Sequence, residues 1–193
     1  MCSSDLITLE QFEALGDEHV RRLYLELGRE FATLAMLAAV GWAAGANLRE
    51  AAAHFMIAFG VWDIFYYLWL RLFLDWPPGI TTWDLLFLIP APWVSPVAAP
   101  VIVSAVMISA GLVTLWYESR GHVLSTTWRD WVVLTAGGVL VIVSFCWDWR
   151  NIMAGGLPNP FQWPLFFVGL SVSSAWFVWI VRRESKSLCG SAS

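Results

Sequence analysis

The sequence predicts an all-α, polytopic transmembrane helix bundle with five regular spans and one proline-broken segment that also crosses. Apolar residues make up 59% of the chain and charged residues 13%, and mean hydropathy is +0.64. A soluble domain carries roughly 25% charged residues and could not cover this much apolar surface. The charges gather at chain ends and between long apolar runs of near-membrane length. Indole favours the membrane–water boundary. Several of the 14 tryptophans, among them Trp76, Trp83, Trp93, Trp116, Trp128 and Trp131, stand at or near the ends of those runs.

Residues 5–30 predict an amphipathic lead-in helix. Thr8 is placed to cap it, with Gln11 in the reciprocal position of a capping box. Val20, Leu23, Tyr24, Leu27 and Phe31 recur at helical spacing. No apolar core of a secretory signal is present, so targeting is expected from the first span, Phe31 to Ala46. Sixteen residues cover only about 24 Å at 1.5 Å each, so residues 25–30 are expected to enter the headgroup region. Ala51 to Leu74 can cross alone. Trp76-Pro77-Pro78-Gly79 then forces a turn.

Trp83 to Pro100 is apolar, yet Pro90, Pro92, Pro96 and Pro100 interrupt it. A short helix followed by extended chain is expected, either crossing or held at the interface by Trp83 and Trp93. Non-helical backbone at membrane depth needs protein or a wet cavity around it, and broken segments recur at transporter binding sites. Three regular spans follow: Val97 to Tyr117, Trp131 to Trp147, and Phe161 or Gln162 to Val181. Residues 148–160 read as a loop and residues 182–193 as a polar, disordered tail. The domain reading is thus a lead-in helix (1–30), a bundle (31–181) and a tail (182–193).

Charge favours the crossing alternative. If the broken segment stays on one side, Arg21, Arg22, Arg29, Arg71 and Arg150 oppose Arg49, Arg120, Arg129, Arg182, Arg183 and Lys186, which gives no orientation. If it crosses, only Arg49 and Arg150 oppose the rest. That is the bias of the positive-inside rule, and it predicts six crossings with both termini cytoplasmic.

Intramembrane carboxylates are expensive, at about 2.5–3.5 kcal/mol for Asp at a helix centre, and they mark functional sites. Asp63 sits at the midpoint of the second span, beside Trp62, and is the leading candidate for a proton, cation or small-solute site. Packing alone is the competing explanation. Tyr67, four residues on, is placed to bond it. Arg71 lies two turns further and is expected to snorkel to the surface.

His54 and Glu50 share a helix face and could together hold a metal ion or a proton, although a hydrogen-bonded contact is the more ordinary outcome. Asp84 follows Thr81 and Thr82 at the start of the broken segment and reads as an N-cap region. Asp148 precedes Arg150, which suggests a local ion pair. Gly137-Gly138 would let helices approach closely.

Several chemistries are excluded or unsupported. Cys2, Cys146 and Cys189 have no disulfide, zinc or haem spacing. The sole lysine, Lys186, lies in the tail, so a retinal Schiff base within the bundle is ruled out. Catalytic signatures are absent, no cofactor is specified, and no basic cluster suggests nucleic acid. FGVWDIFYY (Phe59 to Tyr67) and WDLLFLIPAPW (Trp83 to Trp93) resemble segments of a bacterial polytopic membrane-protein family that has no assigned activity. The resemblance covers Ala51 to Pro100. It implies a bacterial inner membrane and brings no ligand with it.

The leading expectation is a small transporter or channel-like protein centred on Asp63, with Trp62 and Tyr67 beside it, free carbonyls from the broken segment, and further polarity from Asp84, His54 or Asp148. A non-catalytic subunit, touching lipid and partner subunits or forming a homo-oligomer, is the first alternative. An intramembrane metal-dependent enzyme using Glu50 and His54 is the second.

Overall fold

Capping residues divide the chain into helices. In the computed structural model, which describes residues 9–89, 91–154 and 156–191, α1 runs from Leu9 to Ala44 and α2 from Leu48 to Leu74. Between them Asn47 accepts the backbone N–H groups of Arg49 and Glu50 through its side chain, which satisfies two otherwise orphaned donors. Asp75, in the left-handed region (φ 51°), closes α2. The chain divides into two compact units, Met1–Met36 and Leu37–Ser193. In the first, α1 exposes Tyr24 and Phe31 and pairs Arg29 with Glu26 at 2.7 Å. Thr8 and the side chains of Gln11, Val20 and Leu23 lie outside the described residues.

The second unit holds strands β1 (Trp83–Phe87) and β2 (Trp93–Pro96) and helices α3 (Ala98–Ser119), α4 (Trp128–Cys146), α5 (Trp149–Met153) and α6 (Trp163–Ser191). Among the described residues, α2, α3, α4 with its extension to Met153, and α6 to Ser185 are long and apolar enough to cross a membrane. The chain is therefore an integral membrane protein with four candidate spans. The expectation of six is corrected on this point.

Phe31 to Ala46, expected as the first span, is not among the candidate spans of the described residues, and the proline-broken segment accounts for the rest of the difference. It folds as an antiparallel hairpin, with Asp84 opposite Ser95, Leu85 opposite Val94 and an irregularity between Leu85 and Phe87. Residues at its base meet again: Val97 N–H donates to Thr82 O at 2.9 Å and Ala98 N–H to Ile80 O at 2.8 Å. The segment leaves and returns at one end of the bundle, so it does not cross. Prolines that forbid a helix are tolerated at strand ends, and the ladder pairs backbone groups that a broken helix would leave open. Asp84 caps no helix, because none begins there.

The spans associate as two close pairs, α2 with α3 and α4 with α6, while the pairs touch each other chiefly through β2. Small residues make each seam. A Cβ added at Gly60 would lie 2.7 Å from Ser104 O, and one at Gly111 2.7 Å from Ala53 O. Gly137 and Gly169 face each other's carbonyl oxygens in the second pair, while Gly138 faces open space. The close-approach expectation for Gly137-Gly138 thus rests on Gly137.

An aromatic cluster binds the hairpin to the rest. Trp93 stacks on Phe145 at 5.8 Å, Phe87 on Phe59 at 6.3 Å, and Trp83 meets Phe161 edge-on at 6.4 Å. Trp93 is thus a packing residue as well as a hairpin end. Trp116, Trp128 and Trp131 are exposed, as a boundary belt requires.

α6 does not stop at Val181, where the apolar composition ends. No proline or glycine interrupts it there, and it continues through Arg182 and Arg183 toward Ser191. α5 likewise puts a turn of helix into the stretch read as loop.

Candidate functional site

Polar groups inside an apolar bundle are the natural candidates for function, and their partners decide what each can do. Asp63 lies on the face of α2 turned to α3 and is 5% exposed. Its Oδ2 accepts the Ser104 hydroxyl at 2.8 Å. No arginine or histidine among the described residues pairs with it. Ser104 is the seventh residue of α3, about 9 Å along the axis from its start. Asp63 therefore sits nearer the hairpin end of the α2–α3 pair than its midpoint position in α2 implies.

Tyr67 points elsewhere. Its hydroxyl donates to Asp84 Oδ2 at 2.9 Å, while Asp84 Oδ1 accepts the Leu85 N–H at 2.9 Å. The bond between Tyr67 and Asp63 suggested by their spacing is not made. The hairpin instead brings a second carboxylate to the phenol, one turn from Asp63. Trp62 lies between Phe59 and Tyr66, each at 6.0 Å, and lines the same helix without contributing a polar contact to Asp63. Arg71 donates to the carbonyls of Asp75 and Pro77, closing the end of α2.

The other predicted residues stand apart. Glu50 spends its carboxylate on the Ala46 N–H and the Asn47 amide, and His54 Nδ1 lies 2.8 Å from the Glu50 carbonyl oxygen. Among the described residues no three His, Cys, Asp or Glu side chains gather as a metal site.

Asp148 accepts from Asn151 Nδ2 at 3.0 Å and from Asn159 N and Nδ2, both at 2.8 Å. It staples the connection between α4 and α6 and makes no pair with Arg150, whose guanidinium lies over Trp149. Asp148 borders a small cavity with Trp83, Ser144, Asn159 and Phe161. It therefore shares the hairpin end with Asp84 and Arg71, not the end that carries Glu50 and His54. Asp63, Tyr67 and Asp84 come together; His54, Glu50 and Asp148 do not join them. Compared with known protein families, curated proteins and solved structures, the chain matches none.

A second buried carboxylate, Asp130, was missed in the sequence. It is 1% exposed and completes a capping box with Thr127 at the start of α4. It also accepts Trp176 Nε1 at 3.0 Å and Arg183 at 3.2 Å. Arg183 donates onward to the Ser125 carbonyl, and Tyr117 bonds Ser185 at 2.6 Å. The cluster ties α6 to α3 and α4. Its local signal was Thr127-x-x-Asp130 at the head of an apolar run; Trp176 and Arg183 are too remote in sequence for any spacing to reveal them.

Among the described residues, one buried side-chain polar atom is left unmet. The Trp93 indole N–H is buried without a hydrogen-bond partner, which costs about 1–3 kcal/mol relative to a satisfied donor.

Proposed function

We propose that this integral membrane protein takes up a proton or a small cation at Asp63 and carries it across the bilayer, in the manner of a carrier. The observation behind the reading is a buried carboxylate that, among the described residues, meets one hydroxyl and no cation. A group left in that state gains by binding positive charge, whereas a purely structural aspartate is expected to find its counter-charge in the fold. The continuous-pore alternative is weaker, because the α2–α3 seam beyond Asp63 is closed by Gly60 and Gly111 against the facing backbone. A carrier needs only alternating access, which two helix pairs joined through a hairpin can supply.

Arginine distribution supports an orientation. Among the described residues at the ends of the four candidate spans and in their connections, Arg49, Arg120, Arg129, Arg182 and Arg183 stand at the end opposite the hairpin, and Arg71 and Arg150 at the hairpin end. By the positive-inside rule the arginine-rich end faces the cytoplasm, with the carboxyl-terminal end of α6, and the hairpin faces away from it. A bacterial inner membrane remains part of this reading.

Flux into proteoliposomes tests it. Protein reconstituted with an internal pH-sensitive dye should acidify or alkalinise the lumen under an imposed potential, and Asp63→Asn should abolish that flux while inserting normally. Equal flux from Asp63→Asn overturns the reading. The Asp63–Ser104 bond would then be packing, as in a non-catalytic subunit.

A further inference from the structure

We infer that the β1–β2 hairpin gates Asp63 from the hairpin end, with the Tyr67–Asp84 hydrogen bond as its latch; the inference deepens, and rests on, the reading of Asp63 as an ion-binding carboxylate.

Placement carries the argument. β1 lies alongside the stretch of α2 that contains Asp63. Asp84 meets Tyr67 at 2.9 Å, and Phe87 meets Phe59 at 6.3 Å between ring centres. Eight residues of helix cover about 12 Å and three of strand about 10 Å, so the two contacts span one length, and Asp63 falls between them along the helix.

The way out of the site is short in this direction and closed in the other. Ser104 lies within two turns of the start of α3, whereas Gly60 and Gly111 hold the helices together toward the arginine-rich end. An ion that reaches Asp63 through the seam must pass the hairpin.

Burial makes β1 the part of the hairpin able to move. β2 is buried between α3 and α4 and joins the helix pairs, whereas β1 exposes Trp83 and Leu85 and meets α2 through Asp84 and Phe87. The latch itself is a neutral phenol on a carboxylate. It breaks when the hydroxyl or the acceptor is removed and survives exchange of the carboxylate for an amide, which can keep its oxygen on the Leu85 N–H and donate its Nδ2 to the Tyr67 oxygen.

The test reads access without needing flux. Cys2, Cys146 and Cys189 are replaced by serine, and Ser104→Cys supplies a reporter thiol. Its reaction with a membrane-impermeant methanethiosulfonate is timed in vesicles of either orientation. From the hairpin side, Tyr67→Phe and Asp84→Ala should each raise the labelling rate several-fold, Asp84→Asn should leave it near the parent rate, and no variant should raise it from the arginine-rich side. Unchanged rates in both release variants, or faster labelling from the arginine-rich side, overturn the gate. Should one release variant fail to fold, the other decides alone. The ion reading stands or falls separately on Asp63→Asn flux: flux that needs Asp63 together with unchanged labelling would remove the gate and keep the site.

Discussion

In α2 with α3, and again in α4 with α6, a glycine from each helix meets the partner backbone, and the first helix carries a buried aspartate that bonds the second. The two aspartates differ in everything else. Asp130 sits in the first turn of α4, where N–H groups point at it. It takes Thr127, Trp176 and Arg183 as donors. Asp63 sits far from either end of α2, where the helix offers no free N–H, and takes Ser104 alone. Position within a helix therefore separates a carboxylate that the helix end supplies with donors from one that the helix interior leaves short of them.

Substitutions can break or sharpen that contrast. The largest effect is expected at Asp130. Losing one partner of a buried pair costs about 3–5 kcal/mol, and because Arg183 keeps 32% of its side chain exposed, Asp130→Ala should fall near the lower end. A detergent melt should show it as a large drop in midpoint; an unchanged midpoint would make the cluster at Asp130 decorative.

Next come the seams. Gly60→Ala and Gly137→Ala each press a methyl onto facing backbone and should cost about 1–3 kcal/mol by overpacking. Gly60→Ala should in addition reduce any Asp63-dependent flux, because it pushes at Ser104. If both are tolerated, the seams are looser than their geometry.

Asp63→Asn is smaller and of opposite consequence. The amide oxygen still accepts from Ser104 and no desolvated charge remains, so stability should change by less than about 1 kcal/mol or rise, even as flux is lost. A melt as damaged as that of Asp130→Ala would mean that the two carboxylates do the same job.

The smallest effect is a control. Gly138→Ala meets nothing within 4 Å and should stabilise α4 by about 0.5–1 kcal/mol. Its neighbour Gly137 should respond in the other direction in the same assay.

Much of the bundle was legible because lipid imposes a simple requirement. A long apolar run must be a helix there, and α2, α3, α4 and α6 each carry one. Asp63 was legible for the same reason, as an expensive residue in the wrong place. The hairpin was not. Pro90 to Pro100 said only that no helix could continue, and whether the chain then crossed or turned back depended on Asp84 finding Ser95 and on Thr82 and Ile80 finding Val97 and Ala98. Charge counting favoured a crossing because it assigned sides to every segment, including the lead-in residues. Counted over the four spans, the arginines still divide unevenly.

The sequence by itself determined that this chain belongs in a membrane and where the apolar runs of α2, α3, α4 and α6 lie, with Asp63 inside one of them, since composition and helical length follow from the solvent alone; the two further crossings it predicted did not hold. Tertiary structure decided what each polar group meets: Ser104 for Asp63, Asp84 for Tyr67, Trp176 and Arg183 for Asp130. Those partners lie on other helices or strands, and only the packing of glycine seams and an aromatic-anchored hairpin brings them within hydrogen-bonding reach.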